Sequence, residues 1–204
     1  MPAMTRSRRA IALLALAAGL ILGASAPQRP RALPEVLPLG ADRLYHLVEG
    51  RWFDGLTIYR VGETKSGKGG RVVQFGQSGD TAADRRWEKA GIADEPVVRP
   101  HRRGTVNFAR GGPNTRSIEV AITTNEAAAL DTVDYLGVTG FPSIAEVERG
   151  LGVLDRLEGR YGNAPIENDS LSILGAEYLA RAFPGLDRIV SARVTKRWGA
   201  KARR

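Results

Sequence analysis

The apolar positions of this chain fall into short runs punctuated by glycine and proline. Leu44, Tyr45, Leu47 and Val48, within Asp42 to Glu49, predict a short amphipathic helix closed by Gly50. Leu56 to Val61 alternates and predicts a strand. Arg71 to Gly76 predicts a second, with a Gly/Lys-rich hairpin loop over 62–70 between them. Thr105 to Ala109 and Ile118 to Thr123 predict two more, joined by the turn Gly111-Gly112-Pro113-Asn114. Ser143 to Val147 is a further short apolar run. Leu151, Leu154 and Leu157 lie three apart and predict a helix over 151–157. A second late helix is predicted over 174–183, stopped before Pro184, followed by a final strand over 189–194. Many short strands with few helices favour a barrel or sandwich over an alternating strand–helix fold.

The first residues follow a different pattern. Thr5 to Arg9 is basic, Ala10 to Gly23 is an uncharged apolar run, and Ala24-Ser25-Ala26 supplies small residues. This is the three-part layout of a secretory signal, and the apolar run is too short to span a bilayer comfortably. Residues 1–26 are therefore expected to be a signal peptide and the protein to be exported, to a periplasm or outside the cell. Pro27 disfavours cleavage directly after Ala26, so a cut at Ala24 or an uncleaved membrane anchor is the alternative outcome. Pro27, Pro30, Pro34 and Pro38 mark 27–39 as an extended linker. The remaining domain is expected to span 40–198, with a basic tail at 199–204.

Charge and composition narrow the chemistry. The 204 residues include no cysteine, which excludes disulfides, thiolate nucleophiles and zinc–thiolate sites. The formal net charge is +8. Arg6, Arg8 and Arg9 at one end, and Arg193, Lys196, Arg197, Lys201, Arg203 and Arg204 at the other, account for it, so the central body is close to neutral. The tail is expected to touch an acidic surface or a polyanion. Nothing points to specific nucleic-acid recognition, and a monomer is expected.

Other motifs lead nowhere. Gly62 to Lys68 fits GxxxxGK, but Gly69 replaces the magnesium-binding Ser or Thr and a strand follows where a phosphate-binding loop needs a helix. The two histidines, His46 and His101, have no partner at metal-ligand spacing, and no Ser-His-Asp set can be assembled. No cofactor and no metal site are expected.

Three stretches resemble the cyclophilin family of peptidyl-prolyl isomerases. Residues 47–61 (LVEGRWFDGLTIYRV) resemble its helix followed by a strand ending in an aromatic, Arg, Val sequence. Residues 72–80 (VVQFGQSGD) resemble its glutamine strand and Gly-Asp turn. Residues 104–115 (GTVNFARGGPNT) resemble its AGPNT strand and turn. Val147 to Gly150 and Val153 to Leu157 resemble its late strand and helix. The resemblance runs over about residues 40–198. It implies a mainly β fold, an eight-stranded antiparallel barrel capped by two or three helices, with a peptide groove on the outer face.

By motif position the resemblance makes Arg60 and Gln74 the catalytic residues. It assigns Arg71, Val72, Ala109, Arg110, Glu119, Ala121, Leu130 and Phe141 to substrate binding. The implied function is peptidyl-prolyl cis-trans isomerisation on proline-containing polypeptides, here those of exported proteins. The chain also departs from the family. Arg71 stands where the family has an aromatic pocket wall, Ala121 where it has the aromatic pocket floor, Ala129 where it has a tryptophan, and Phe141 near its groove histidine. These changes remove apolar area and add charge, although Arg71 and Glu119 could pair across the groove. The activity is therefore expected to be low, and a catalytically inactive peptide-binding module on the same scaffold is the alternative.

Overall fold

The computed structural model describes residues 39–64 and 70–195. The expected signal peptide, the linker up to Pro38, residues 65–69 of the Gly/Lys loop and the basic tail lie outside the described residues. In chain order the elements are α1 (Leu39–Glu49), β1 (Arg60–Glu63), β2 (Arg71–Phe75), α2 (Thr81–Glu88), β3 (Thr105–Phe108), β4 (Val120–Thr123), α3 (Ala129–Thr132), β5 (Asp134–Tyr135), β6 (Val138–Thr139), β7 (Ser143–Glu146), 3-10 turns at Leu151–Arg156 and Ala164–Ile166, α4 (Ser170–Leu174) and α5 (Ala176–Ala182).

Helix α1 begins before the position its apolar pattern suggests, at the last residue assigned to the linker. The cause is distant: the Glu95 carboxylate accepts from the backbone N–H groups of Leu39 at 2.7 Å and Gly40 at 3.0 Å. A carboxylate there satisfies otherwise orphaned donors at the positive end of the helix. Helix α2, which the apolar pattern alone does not reveal, is capped by Asp80, whose Oδ1 accepts from Ala82 N and Ala83 N.

Strands β1, β2, β4, β3 and β7 form one antiparallel sheet in that order, and β5 pairs with β6 in a separate hairpin. The expected eight-stranded barrel is not what forms: among the described residues the sheet has five strands and does not close. The predicted strands at 56–61 and 189–194 explain the difference. Their chains run together through Gly55 N to Ile189 O, Ile189 N to Leu56 O and Ile58 N to Asp187 O, each 2.8 Å. Only Thr57 and Arg188 form a bridge there, so the ladder is too short to make a strand. A turn at Phe53 to Leu56, with Gly55 at φ 76°, leads directly into this pairing and limits its length.

Alternation along the strands sorts the sheet into two faces. Val61, Val73, Phe75, Val106, Phe108, Val120 and Ile122 turn inward and pack with Leu44, Leu47, Phe53, Ile58, Leu154 and Ile189 in the main core. Arg60, Val72, Gln74, Asn107 and Ala121 lie on the other face. A second, smaller core joins Tyr59 to Leu171 and Leu179, with Ile166, Tyr178, Phe183 and Leu186 around it. It fastens residues 159–186 beside β1.

The helix expected over 174–183 forms as α5, and a further short helix, α4, stands directly before it. Gly175, at φ 62° and ψ −139°, separates them. A Cβ there would lie 2.3 Å from Gly79 O, so only glycine permits this close approach. The predicted helix at 151–157 forms as a 3-10 turn over Leu151–Arg156.

Candidate functional site

The strand register places four polar or small residues in one line across the outer face. Arg60 is opposite Gln74, Gln74 opposite Ala121, and Ala121 opposite Asn107. Directly opposed residues share a face, so this row is a property of the strand pairing.

Arg60 is held on three sides. Its Nη1 donates to Gln74 Oε1 at 2.8 Å, its Nη2 to Glu63 O at 2.5 Å, and its Nε to Asn163 Oδ1 at 2.8 Å. Among the described residues, one N–H on each terminal nitrogen stays uncommitted. Burial lowers the pKa of Arg60, while nearby Tyr59 and Glu119 oppose that shift. A guanidinium starts from so high a value that the side chain remains a cation.

Gln74 connects this cation to an anion. Its Nε2 donates to Glu119 Oε2 at 2.6 Å. The same oxygen accepts from the Tyr59 hydroxyl at 2.7 Å, and Glu119 Oε1 accepts from Gln77 Nε2 at 3.2 Å. Tyr59 is wholly buried. Burial first, and the Glu119 charge second, push its phenol well above the usual tyrosine range, so it stays a neutral donor.

The other residues singled out in the sequence take separate places. Val72, Ala121 and Leu130 are buried, at 3%, 4% and 5% exposure, beside Gln74 at 5% and Arg60 at 8%. This face is therefore closed to water, with only a methyl group at the position of the expected aromatic floor. Arg110 and Phe141 come together: the guanidinium carbon lies 4.1 Å from the ring centroid. Arg110 donates to Gly140 O at 2.6 Å and Val138 O at 2.8 Å, tying the β5–β6 hairpin to the end of β3. Ala109 continues the β3 pairing by donating its N–H to Glu119 O.

Arg71 stands apart. It shares the alternation of Val73 and Phe75, not that of Gln74, and its guanidinium lies against Gly159 and not across the groove. Glu119 instead takes the donors described above. Of the histidines, His46 is exposed and 3.5 Å from Asp42, whereas His101 is buried with Nδ1 2.7 Å from Asp131 Oδ1.

Four participants escaped the sequence reading: Tyr59, Gln77, Asn107 and Asn163. Asn107 lies two residues before Ala109 on β3, so alternation could have found it; Tyr59 and Gln77 lie one and three positions from Arg60 and Gln74, an odd spacing that alternation assigns to the other face. Asn163 has no such signal, because it reaches Arg60 from 103 positions away.

Chemically, the site offers a fixed cationic donor in a water-poor setting, and among the described residues no side chain is arranged as a nucleophile or proton acceptor for a bound amide. Such a donor can stabilise a developing lone pair or oxyanion.

Comparison with known proteins bears out the family resemblance. Residues 33–176 match the family model for cyclophilin type peptidyl-prolyl cis-trans isomerase/CLD. Among solved structures, the chain is similar to a Cryptosporidium parvum cyclophilin type peptidyl-prolyl cis-trans isomerase in the presence of the dipeptide Ala-Pro. That match has 17% identity over 56% of this chain and 68% of the other, with a TM-score of 0.42. A second structure of the Cryptosporidium parvum protein matches at 18% identity over 57% of this chain and 68% of the other, again with a TM-score of 0.42. No curated protein matches the chain. The family match spans more than half of the sequence and includes Arg60, Gln74 and the GGPNT turn, and the chain belongs to the cyclophilin-type peptidyl-prolyl cis-trans isomerase family.

Proposed function

We propose that this protein is a peptidyl-prolyl cis-trans isomerase of low turnover, acting on Xaa-Pro bonds of exported polypeptides. The observation that carries the reading is the Arg60 guanidinium, a cation fixed by three acceptors with N–H groups still available. The barrier to be lowered is loss of amide resonance, about 18–20 kcal/mol. Pyramidalisation of the prolyl nitrogen frees its lone pair, and a fixed donor binds that state better than the planar one. Stabilisation by roughly 5 kcal/mol accelerates exchange by between three and four orders of magnitude. Neither a nucleophile nor a proton transfer is needed. Export rests on the basic, apolar and small-residue series over residues 5–26.

Low turnover follows from the closed face. Substrate must displace covering groups to reach Arg60, and Ala121 offers a proline ring little apolar contact. The same two observations favour a second reading, a module that binds proline-containing peptides without turning them over. Exchange spectroscopy on an Xaa-Pro peptide separates the two. The isomerase reading expects exchange above background with the full chain, falling about a hundredfold in Arg60→Ala. Peptide binding with background exchange would establish the second reading and reject the first.

A further inference from the structure

We propose that Asn163 is the residue that orients Arg60 for its role, and that residues 159–186 serve to deliver it. The kinetic part rests on the isomerase reading; the contact itself rests on geometry alone. Gln74 Oε1 and Glu63 O hold the two terminal nitrogens of Arg60. Two points leave a planar group free to hinge about the line joining them. The bond from Nε to Asn163 Oδ1 supplies the third point and fixes the plane. Arginine only donates, so the Asn163 carboxamide must present its oxygen here.

The surroundings are shaped for this contact. Gly62, next but one to Arg60 on β1, faces the carboxamide: a Cβ at Gly62 would lie 2.5 Å from Asn163 Oδ1. Glycine is therefore what lets Asn163 lie against the strand. Asn163 also starts a rigid 3-10 turn, with Ile166 N donating to Asn163 O at 2.9 Å and Pro165 buried. The turn is anchored on both sides. Tyr161 stacks edge-on against Phe183 at 5.1 Å and donates its hydroxyl to Pro184 O at 2.9 Å. Ile166, Leu171 and Leu179 pack on Tyr59, the residue before Arg60. Ala176 N donates to Gly79 O at 3.2 Å. One segment thus touches Tyr59 and Gly62, on either side of Arg60 in the chain, and supplies its third acceptor.

The test compares wild type, Asn163→Ala, Asn163→Asp and Gly62→Ala in the full chain. It uses hydrogen exchange at the Arg60 Nε–H by NMR and turnover of an Xaa-Pro peptide. Asn163→Ala is expected to raise Nε–H exchange at least about tenfold and to lower kcat by roughly ten- to a hundredfold, with KM little changed. Asn163→Asp keeps an acceptor and restores both quantities. Gly62→Ala displaces the carboxamide without removing it, so it should reproduce the Nε–H effect even if Asn163→Ala folds poorly. Unchanged Nε–H exchange in Asn163→Ala or in Gly62→Ala overturns the contact. Equal kcat in Asn163→Ala and wild type overturns the positioning role. Absence of turnover in the wild type rejects the isomerase reading and with it the kinetic role, while the Nε–H measurement still decides the contact.

Discussion

Glu119 fixes which way the Gln74 amide faces. Its Oε2 accepts from Gln74 Nε2 at 2.6 Å, and a carboxylate has nothing to donate, so Gln74 must turn its oxygen to Arg60. A pure acceptor on one side and a pure donor on the other leave a single orientation. Glu119→Gln removes one half of that constraint, because a glutamine can meet either amide end, and leaves Arg60 alone to orient Gln74. It is expected to lower turnover about tenfold at little cost in stability. Glu119→Leu strands the Tyr59 hydroxyl and Gln74 Nε2, and should destabilise the fold by about 1–3 kcal/mol for each donor. Urea unfolding of the two variants checks this; equal stability would contradict it.

Tyr59 makes an alkaline prediction. Its pKa is raised in the folded protein, by burial and then by Glu119. The folded state therefore keeps a proton that the unfolded chain loses. The stability involved is fully present below about pH 10, the ordinary tyrosine value, and is lost as pH rises through the folded value. Unfolding free energy should fall in that range by up to about 1.4 kcal/mol per pH unit. Tyr59→Phe lacks this component, and subtracting its curve from that of wild type isolates it. Parallel curves would show that Tyr59 does not contribute.

Arg110 should be intolerant of lysine. Its planar fork serves two carbonyls of the β5–β6 region while its face lies on Phe141. A lysine keeps the charge and loses both the fork and the stacking. Arg110→Lys is expected to speed amide exchange at Gly140 and Phe141 about tenfold or more while β2 and β4 stay protected. Uniform protection across all these sites would refute the prediction.

Gly175 is predicted to accept no side chain. Gly175→Ala combines a positive φ with a Cβ 2.3 Å from Gly79 O. The expected loss is about 2 kcal/mol or more, seen as a lower urea midpoint. A neutral substitution would mean that α4 and α5 shift away from Gly79 freely.

The legible and illegible parts of this fold separate by range. Strands β2, β3 and β4 could be read because their alternation and the Gly111 to Asn114 turn are local signals. Arg60, Gln74 and Glu119 could be placed because each sits within a recognisable run. Asp80 carried a cap signal for α2 that the apolar pattern hides, since only Asp84 of that helix is buried. Closure of the sheet was not legible: Leu56 to Val61 alternates as a strand should, but its length is set by how much of 187–190 reaches it. The Arg71–Glu119 pairing failed for a related reason. Both lie near the site in sequence order, yet alternation turns Arg71 to the other face, and Tyr59 and Gln74 already hold the carboxylate. Asn163 and Glu95 act at distant backbone and side-chain positions, which no local pattern encodes.

The separation of Arg60 from Asn163 also orders the assembly of the site during synthesis. Domains form from the N-terminal side as the chain emerges. All five sheet strands are available once Glu146 has been made, but Asn163, Leu171 and Leu179 follow later. A nascent chain halted between these points would hold Arg60 beside Gln74 without its third acceptor and with Tyr59 uncovered. On the isomerase reading, the site would thus be completed only by the last quarter of the polypeptide, after every strand of the sheet is in place.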